Sequence, residues 1–247
     1  MILSLLYHHV NSDYLSNSPE MMDKHFKYIS EHFETIFPSE YKPSFFGIQV
    51  CLVFDDAYYD FYHYVFPLLK KLSIKAIIAV PTDFILDKTD FDSSLRMSIK
   101  HSDIMKGENF KKFVPFCTWA ELKEMSETGL VKVASHGLKH IRLTEVDENE
   151  LKNELSVSKK IIESRLNAKC DCFVYPYTAF DETIIRRALE YYDFSFGYGG
   201  IMNYKIKNGF LNRVLGDELS NPNELFSIRR ILGYYKRTIK SEFLNNN

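Results

Sequence analysis

The sequence predicts one α/β domain whose mostly parallel sheet closes into a barrel. Three observations predict it. Apolar runs of strand length alternate along the chain with helical patterns. Two of those runs, Val50-Cys51-Leu52-Val53-Phe54 and Val131-Lys132-Val133-Ala134, stop at metal-ligand residue types, Asp55-Asp56 and Ser135-His136-Gly137-Leu138-Lys139-His140. That is how active sites sit on the carboxyl edge of α/β barrels. Finally, 247 residues of 45% hydrophobic content suffice to bury the core of one such domain.

In chain order, a first strand is expected over Ile2–His8 and a helix over Met21–Phe33. The second strand, Gln49–Phe54, leads to a helix over Phe61–Leu72, and a third strand follows at Lys75–Val80. The segment Asp83–Phe116 then breaks the rhythm; it is polar, mixed in charge and without clean periodicity. An insertion of that length is either a lid or substrate loop, or a mobile surface loop. Thr118-Trp119-Ala120-Glu121 has the form of a capping box and opens a helix to Glu127, with Gly129 as its stop signal.

Strands are expected at Leu130–Ala134, Cys172–Tyr175 and Phe194–Tyr198, with a late one near Ser227–Leu232. Between them a long helix spans Asp147–Leu166, with apolar residues at Leu151, Leu155, Ile161, Ile162 and Leu166. Another starts from Asp181 as N-cap and runs to about Tyr192. One domain therefore covers residues 1–235, with an insertion at 83–116, and 236–247, ending Asn-Asn-Asn, reads as a flexible tail.

Composition narrows the function. The formal charge is −2, from 31 basic and 33 acidic residues, so nothing draws the chain toward nucleic acid. No apolar stretch approaches the roughly 20 residues of a membrane helix. The N-terminus lacks a basic region and a small-residue cleavage site, so it reads as a strand and not as a signal peptide. Cys51, Cys117, Cys170 and Cys172 show neither zinc-finger spacing nor a CxxC pair. A reducing cytoplasm is the expected location, and an exported form would require that a leader had been removed. Nothing in the sequence sets an oligomeric state.

Two imidazoles and a carboxylate are a usual ligand set for a hydrolytic metal, with room left for a water. His136 and His140 share a face if their segment makes a helical turn, and Gly137 lets the backbone make that turn straight off the strand. Either Asp55 or Asp56 then ligates, and the spare carboxylate is placed to take a proton from the water. A solvated Asp-Asp turn and a surface histidine pair are the competing readings for each motif taken alone.

His8 and His9 end the first strand; neighbours there face opposite ways, so one imidazole at most is expected at the site. Tyr175-Pro176-Tyr177-Thr178 ends another strand, and the Tyr177 amide is a candidate oxyanion donor. Arg229-Arg230 lies in what reads as an apolar strand; a buried arginine needs a carboxylate, and Asp55 is the candidate partner.

Taken in order, these segments resemble the polysaccharide deacetylase family (NodB homology domain, carbohydrate esterase family 4). Its first motif stands here as Phe54-Asp55-Asp56, its second as Ser135-His136-Gly137-Leu138-Lys139-His140, and its third as Phe173-Val174-Tyr175-Pro176-Tyr177. Thr118 to Met125 and Gly129-Leu130 also match the family's approach to the histidine motif. Leu6-Tyr7-His8-His9-Val10 is similar to the circularly permuted branch that deacetylates poly-N-acetylglucosamine, and no histidine follows His140 to serve in a late motif.

The resemblance implies a distorted (β/α)7-type barrel and hydrolytic removal of an N-acetyl group from an N-acetylated sugar. Asp56, His136 and His140 would bind one divalent ion, usually zinc. Asp55 would be the general base, His8 the general acid, and the Tyr177 amide the oxyanion donor. Tyr175 and Trp119 are the aromatic candidates for contact with the sugar. Arginine and glycine often stand in the third motif where this chain has Val174 and Thr178, and Arg230 is the expected source of the missing cation. Two other readings remain: a deformylase or amidohydrolase of the same fold, which a panel of acetylated and formylated substrates would separate, and an inactive carbohydrate-binding homologue.

Overall fold

The computed structural model describes residues 1–43, 47–206 and 208–244. Seven strands form its frame: β1 (Ile2–Tyr7), β2 (Gln49–Phe54), β3 (Ala76–Val80), β4 (Val131–Ser135), β5 (Cys172–Val174), β6 (Phe194–Tyr198) and β7 (Phe210–Leu215). Each pairs in parallel with the next, and β1 pairs with both β2 and β7, so the sheet closes into the expected distorted (β/α)7 barrel. A short strand, Glu34–Thr35, adds to the start of β2. Because all seven strands run the same way, their carboxyl ends share one face.

Period-two alternation sorts the strand residues into two buried layers. Cys51, Val53, Ile77, Ala79, Ala134, Cys172, Val174, Phe196 and Leu211 pack together in the lumen. Leu3, Leu5, Val50, Leu52, Ile78, Val133 and Phe173 face outward against the helices. The small residues among them, Cys51, Ala79, Ala134 and Cys172, leave room for the larger ones in the narrow bore of a seven-stranded barrel. Ala134→Leu should therefore overpack the lumen and destabilise the fold by about 1–3 kcal/mol, read as a lower urea midpoint; an unchanged midpoint would show a looser interior than this packing implies.

The outer layer comprises α1 (Pro19–His32), α2 (Phe66–Leu72), α3 (Trp119–Glu127), α4 (Glu148–Leu166), α5 (Glu182–Leu189) and α6 (Ile228–Leu244). Their starts follow the capping chemistry read from the chain. Thr118 and Glu121 make the reciprocal capping box of α3, and Asp147 and Asp181 cap α4 and α5. A π-helical turn, Phe61–Val65, leads into α2.

Two expectations fail at the C-terminal end. Residues 227–232 do not form a strand; Ile228 opens α6. Its apolar residues Ile228, Ile231, Leu232 and Tyr235 recur at helical spacing, and a short window hid that period. The helix continues to Leu244, so residues 236–244, expected as a tail, are helical; 245–247 of that expected tail lie outside the described residues. The real seventh strand is β7, whose Asn212-Arg213 obscured an otherwise apolar run.

The insertion at 83–116 is folded onto the barrel through short helices at Ser93–Arg96, His101–Ile104 and Asn109–Phe113. Arg96 anchors it from within. Its guanidinium bonds the carbonyls of Val114 and Phe116 at 2.8 Å each and the Glu121 carboxylate at 2.6 Å, and lies over the Tyr59 ring. No helix among the described residues is long and apolar enough to cross a membrane.

Candidate active site

At the end of β2 the chain turns sharply. Asp56 and Ala57 both adopt left-handed backbone, with φ of 68° and 56°. For residues bearing a Cβ such conformations cost roughly 1–2 kcal/mol each, and strain of this kind concentrates at functional sites. Here it turns two buried neighbouring carboxylates into one pocket.

At the end of β4, Gly137 stands at φ 79°, and a Cβ there would lie 2.6 Å from Glu154 Oε2. Glu154, buried on α4, accepts from the Leu138 amide at 2.6 Å and so pins the turn that swings His140 back to the site. Burial pushes the Glu154 carboxyl up, against the amides that lower it. The sequence reading overlooked Glu154; its signal was a carboxylate on the apolar face of α4, beside Leu151 and Leu155.

The ligand atoms of Asp56, His136 and His140 all lie within 4.8 Å of one another. Nε2 of His140 is 2.9 Å and Nε2 of His136 is 3.5 Å from the same oxygen, Asp56 Oδ1. His136 Nδ1 donates to the Val174 carbonyl at 2.7 Å. A carbonyl only accepts, so in the neutral ring the proton sits on Nδ1 and Nε2 offers a lone pair. Asp56 Oδ1 is buried with no hydrogen-bond partner among the described residues. Lone pairs therefore converge where a cation would satisfy them, and two imidazoles with a carboxylate fit a divalent ion such as zinc. Burial alone would raise the Asp56 carboxyl, but His140 and then His136 outweigh it and hold it well below the usual range.

Arg213 lies beneath Asp55, fully buried, with Nη1 2.6 Å from Asp55 Oδ1 and Nε donating to the Gly197 carbonyl at 3.2 Å. This arginine, and not Arg230, is the counter-ion. Arg230 is exposed on α6 and pairs with Glu224 at 2.6 Å, because the strand expected to bury it is a helix.

His8 and His9 face opposite ways. His8 Nδ1 lies 2.6 Å from Asp217 Oδ2, and Asp217 Oδ1 accepts from the His8 amide at 3.1 Å. Burial works against a charge on His8, but the bond to Asp217, with the fields of Asp55 and Asp56, outweighs it and raises the imidazole to about 9. Burial also raises the Asp217 carboxyl.

Tyr177 stands at the pocket, half exposed, with φ 54° and its ring centroid 4.5 Å from that of His140. The other two aromatic candidates do not reach the site. Tyr175 is fully buried against Phe173 and Phe180, because its outward-facing position points into the helix layer. Trp119, the first residue of α3, is buried in that layer too, with Arg165 over its ring. The pocket has a volume of about 540 Å³; Leu6, Tyr14, Tyr198 and, from the insertion, His101 join the strand-end residues in lining it.

The family model described as polysaccharide deacetylase matches residues 47–195. YxkH of Bacillus subtilis (strain 168) is 25% identical over 194 residues; the match covers 74% of this chain and 59% of YxkH. Among solved structures, the deacetylase PplD of Streptococcus pyogenes, in complex with acetate, superposes with a TM-score of 0.72 at 22% identity, covering 91% of this chain and 96% of that one. IcaB of Ammonifex degensii gives 0.71 at 20% identity, covering 94% and 96%. At these identities the two structures speak for a shared fold.

Proposed function

The chain belongs to the polysaccharide deacetylase family, and we propose that it is a metal-dependent hydrolase that removes the N-acetyl group from an N-acetylated carbohydrate. One observation carries this reading. The Asp56, His136 and His140 group has a carboxylate backed by arginine at Asp55, and a histidine backed by carboxylate at His8 lines the same pocket. A divalent ion held by those three ligands, zinc being the one their chemistry suits best, would supply Lewis-acid activation of water and carbonyl.

The side chains do the rest. Asp55 accepts the proton of the attacking water while Arg213 fixes its other oxygen. Asp56 would ligate through Oδ1, which has no hydrogen-bond partner among the described residues. The Tyr177 amide, carried on a left-handed turn after Pro176, is the proposed donor to the developing oxyanion. His8, kept protonated by Asp217, gives its proton to the leaving nitrogen as the C–N bond breaks. Water is consumed, and acetate and the free amine are the products.

The test is acetate release from N-acetylhexosamine oligomers by the zinc-loaded protein. Formate from formylated sugars without acetate would move the reading to deformylation, and no release from any substrate would indicate an inactive homologue.

His8 has its own test. His8→Ala should depress kcat on an amide by about 10²–10⁴-fold, and much less on an aryl acetate, whose phenolate leaves without a proton. Equal losses on both would make His8 structural. The acid is available below its pKa, so activity should fall as pH rises through about 9. Asp217→Asn leaves an acceptor for His8 but removes the negative charge that strengthens that bond, and should move this alkaline limb down by about one unit. A limb that stays in place would assign it to another group.

A further inference from the structure

A second histidine–carboxylate chain reaches the same pocket. Asp60, just past β2, is buried, and its Oδ2 accepts from the Val10 amide at 3.2 Å and lies 2.6 Å from His9 Nδ1. The His9 ring is buried as well and stacks on Tyr58, with centroids 3.7 Å apart. Its far nitrogen, Nε2, is 3.1 Å from Nδ1 of His101.

His101 opens the short helix His101–Ile104 of the insertion. Asp13 Oδ1 accepts from its amide at 3.1 Å, and the Tyr14 ring centroid is 4.6 Å from its own. His101 and Tyr14 line the pocket that holds Asp55 and Asp56. With Nδ1 turned to His9, Nε2 of His101 has no hydrogen-bond partner among the described residues.

Facing nitrogens at this distance share one hydrogen. If His9 is the donor, His101 keeps its own hydrogen on Nε2; if His101 is the donor, its Nε2 presents a lone pair. Either way Asp60 and His9 decide the character of the one nitrogen left for a ligand. Burial, and then the nearby His9, hold His101 below its ordinary value, which favours the neutral ring. A neutral imidazole suits an uncharged hydroxyl better than a carboxylate or phosphate. In the deacetylase reading the reacting amide is engaged at the strand ends, whereas His101 reaches the pocket from the insertion.

We propose that His101 is a substrate-binding residue that hydrogen-bonds a hydroxyl of the sugar through Nε2, with His9 and Asp60 as its positioning residues. This rests on the deacetylase reading above. It also gives the inserted segment a role in choosing the substrate, because an acetyl group on a non-sugar carrier would not engage this nitrogen.

The experiment compares kcat/KM for an N-acetylhexosamine oligomer with that for a small aryl acetate. His101→Ala should lower the oligomer-to-ester ratio about five- to tenfold, as expected for one lost hydrogen bond, mainly through KM. His101→Gln, which keeps a donor and an acceptor, should recover part of it. Asp60→Ala should lower the same ratio, with Asp60→Asn restoring it in part. A merely structural role would depress both substrates together and leave the ratio fixed. Should Asp60→Ala fail to fold, the two His101 variants decide. A wild-type protein that is active on the oligomer and a His101→Ala variant with an unchanged ratio overturn this inference alone. A wild-type protein inert on every N-acetylated sugar overturns the deacetylase reading, and this inference with it.

Discussion

Replacing His140 by alanine is expected to release the ion and reduce acetate release by roughly 10³-fold or more while the barrel stays folded. The ion's Lewis acidity would supply several kcal/mol of transition-state stabilisation, and two remaining ligands would hold a divalent ion poorly. The fold should survive because, among the described residues, the His140 ring bonds no backbone group: Nδ1 has no hydrogen-bond partner, and Nε2 pairs with Asp56. The turn itself is held by Glu154 and the Leu138 amide, which the substitution does not touch. Metal analysis beside circular dichroism checks this. Full metal occupancy in a folded His140→Ala protein would remove the histidine from the ligand set.

Asp55→Asn is expected to keep the ion and lose about 10²–10⁴-fold in turnover, because an amide cannot accept the water's proton. It should also melt at a lower temperature. The amide still accepts a hydrogen bond from Arg213 but leaves a fully buried guanidinium without its counter-charge, and breaking such a pair costs about 3–5 kcal/mol. The two effects separate in a double variant. Asp55→Asn with Arg213→Met should recover much of the stability and none of the activity. Recovered turnover would mean that Asp55 acts only by balancing Arg213.

The barrel and the cluster of Asp56, His136 and His140 were legible because their signals are local. Each depends on an apolar run and the residues that follow it, as in Val50–Asp56 and Val131–His140. What escaped depends on partners distant in the chain. Arg213 and Asp217 back Asp55 and His8, the proposed base and acid, and both belong to β7 or the turn after it, the barrel strand that was not recognised. A charge inside a strand argues against that strand unless its counter-ion is known, and Asp55 lies 158 positions away. Arg230 was chosen because 227–232 looks apolar over six residues, whereas the helical period emerges only over a longer span. Tyr175 and Trp119 fit an aromatic, sugar-binding composition, but their orientation follows from packing into the helix layer. The link between His9 and His101 joins β1's end to the insertion across 92 positions, with no periodicity to betray it.

The central claim is a hydrolytic centre built on Asp56, His136 and His140. Its most direct test is the metal stoichiometry of the purified wild-type protein, followed through chelation and reconstitution while acetate release from an N-acetylhexosamine oligomer is measured. One divalent ion per chain is expected, with acetate release lost on its removal and restored by one equivalent of zinc. Acetate release that continues undiminished in protein stripped of every divalent ion would contradict it.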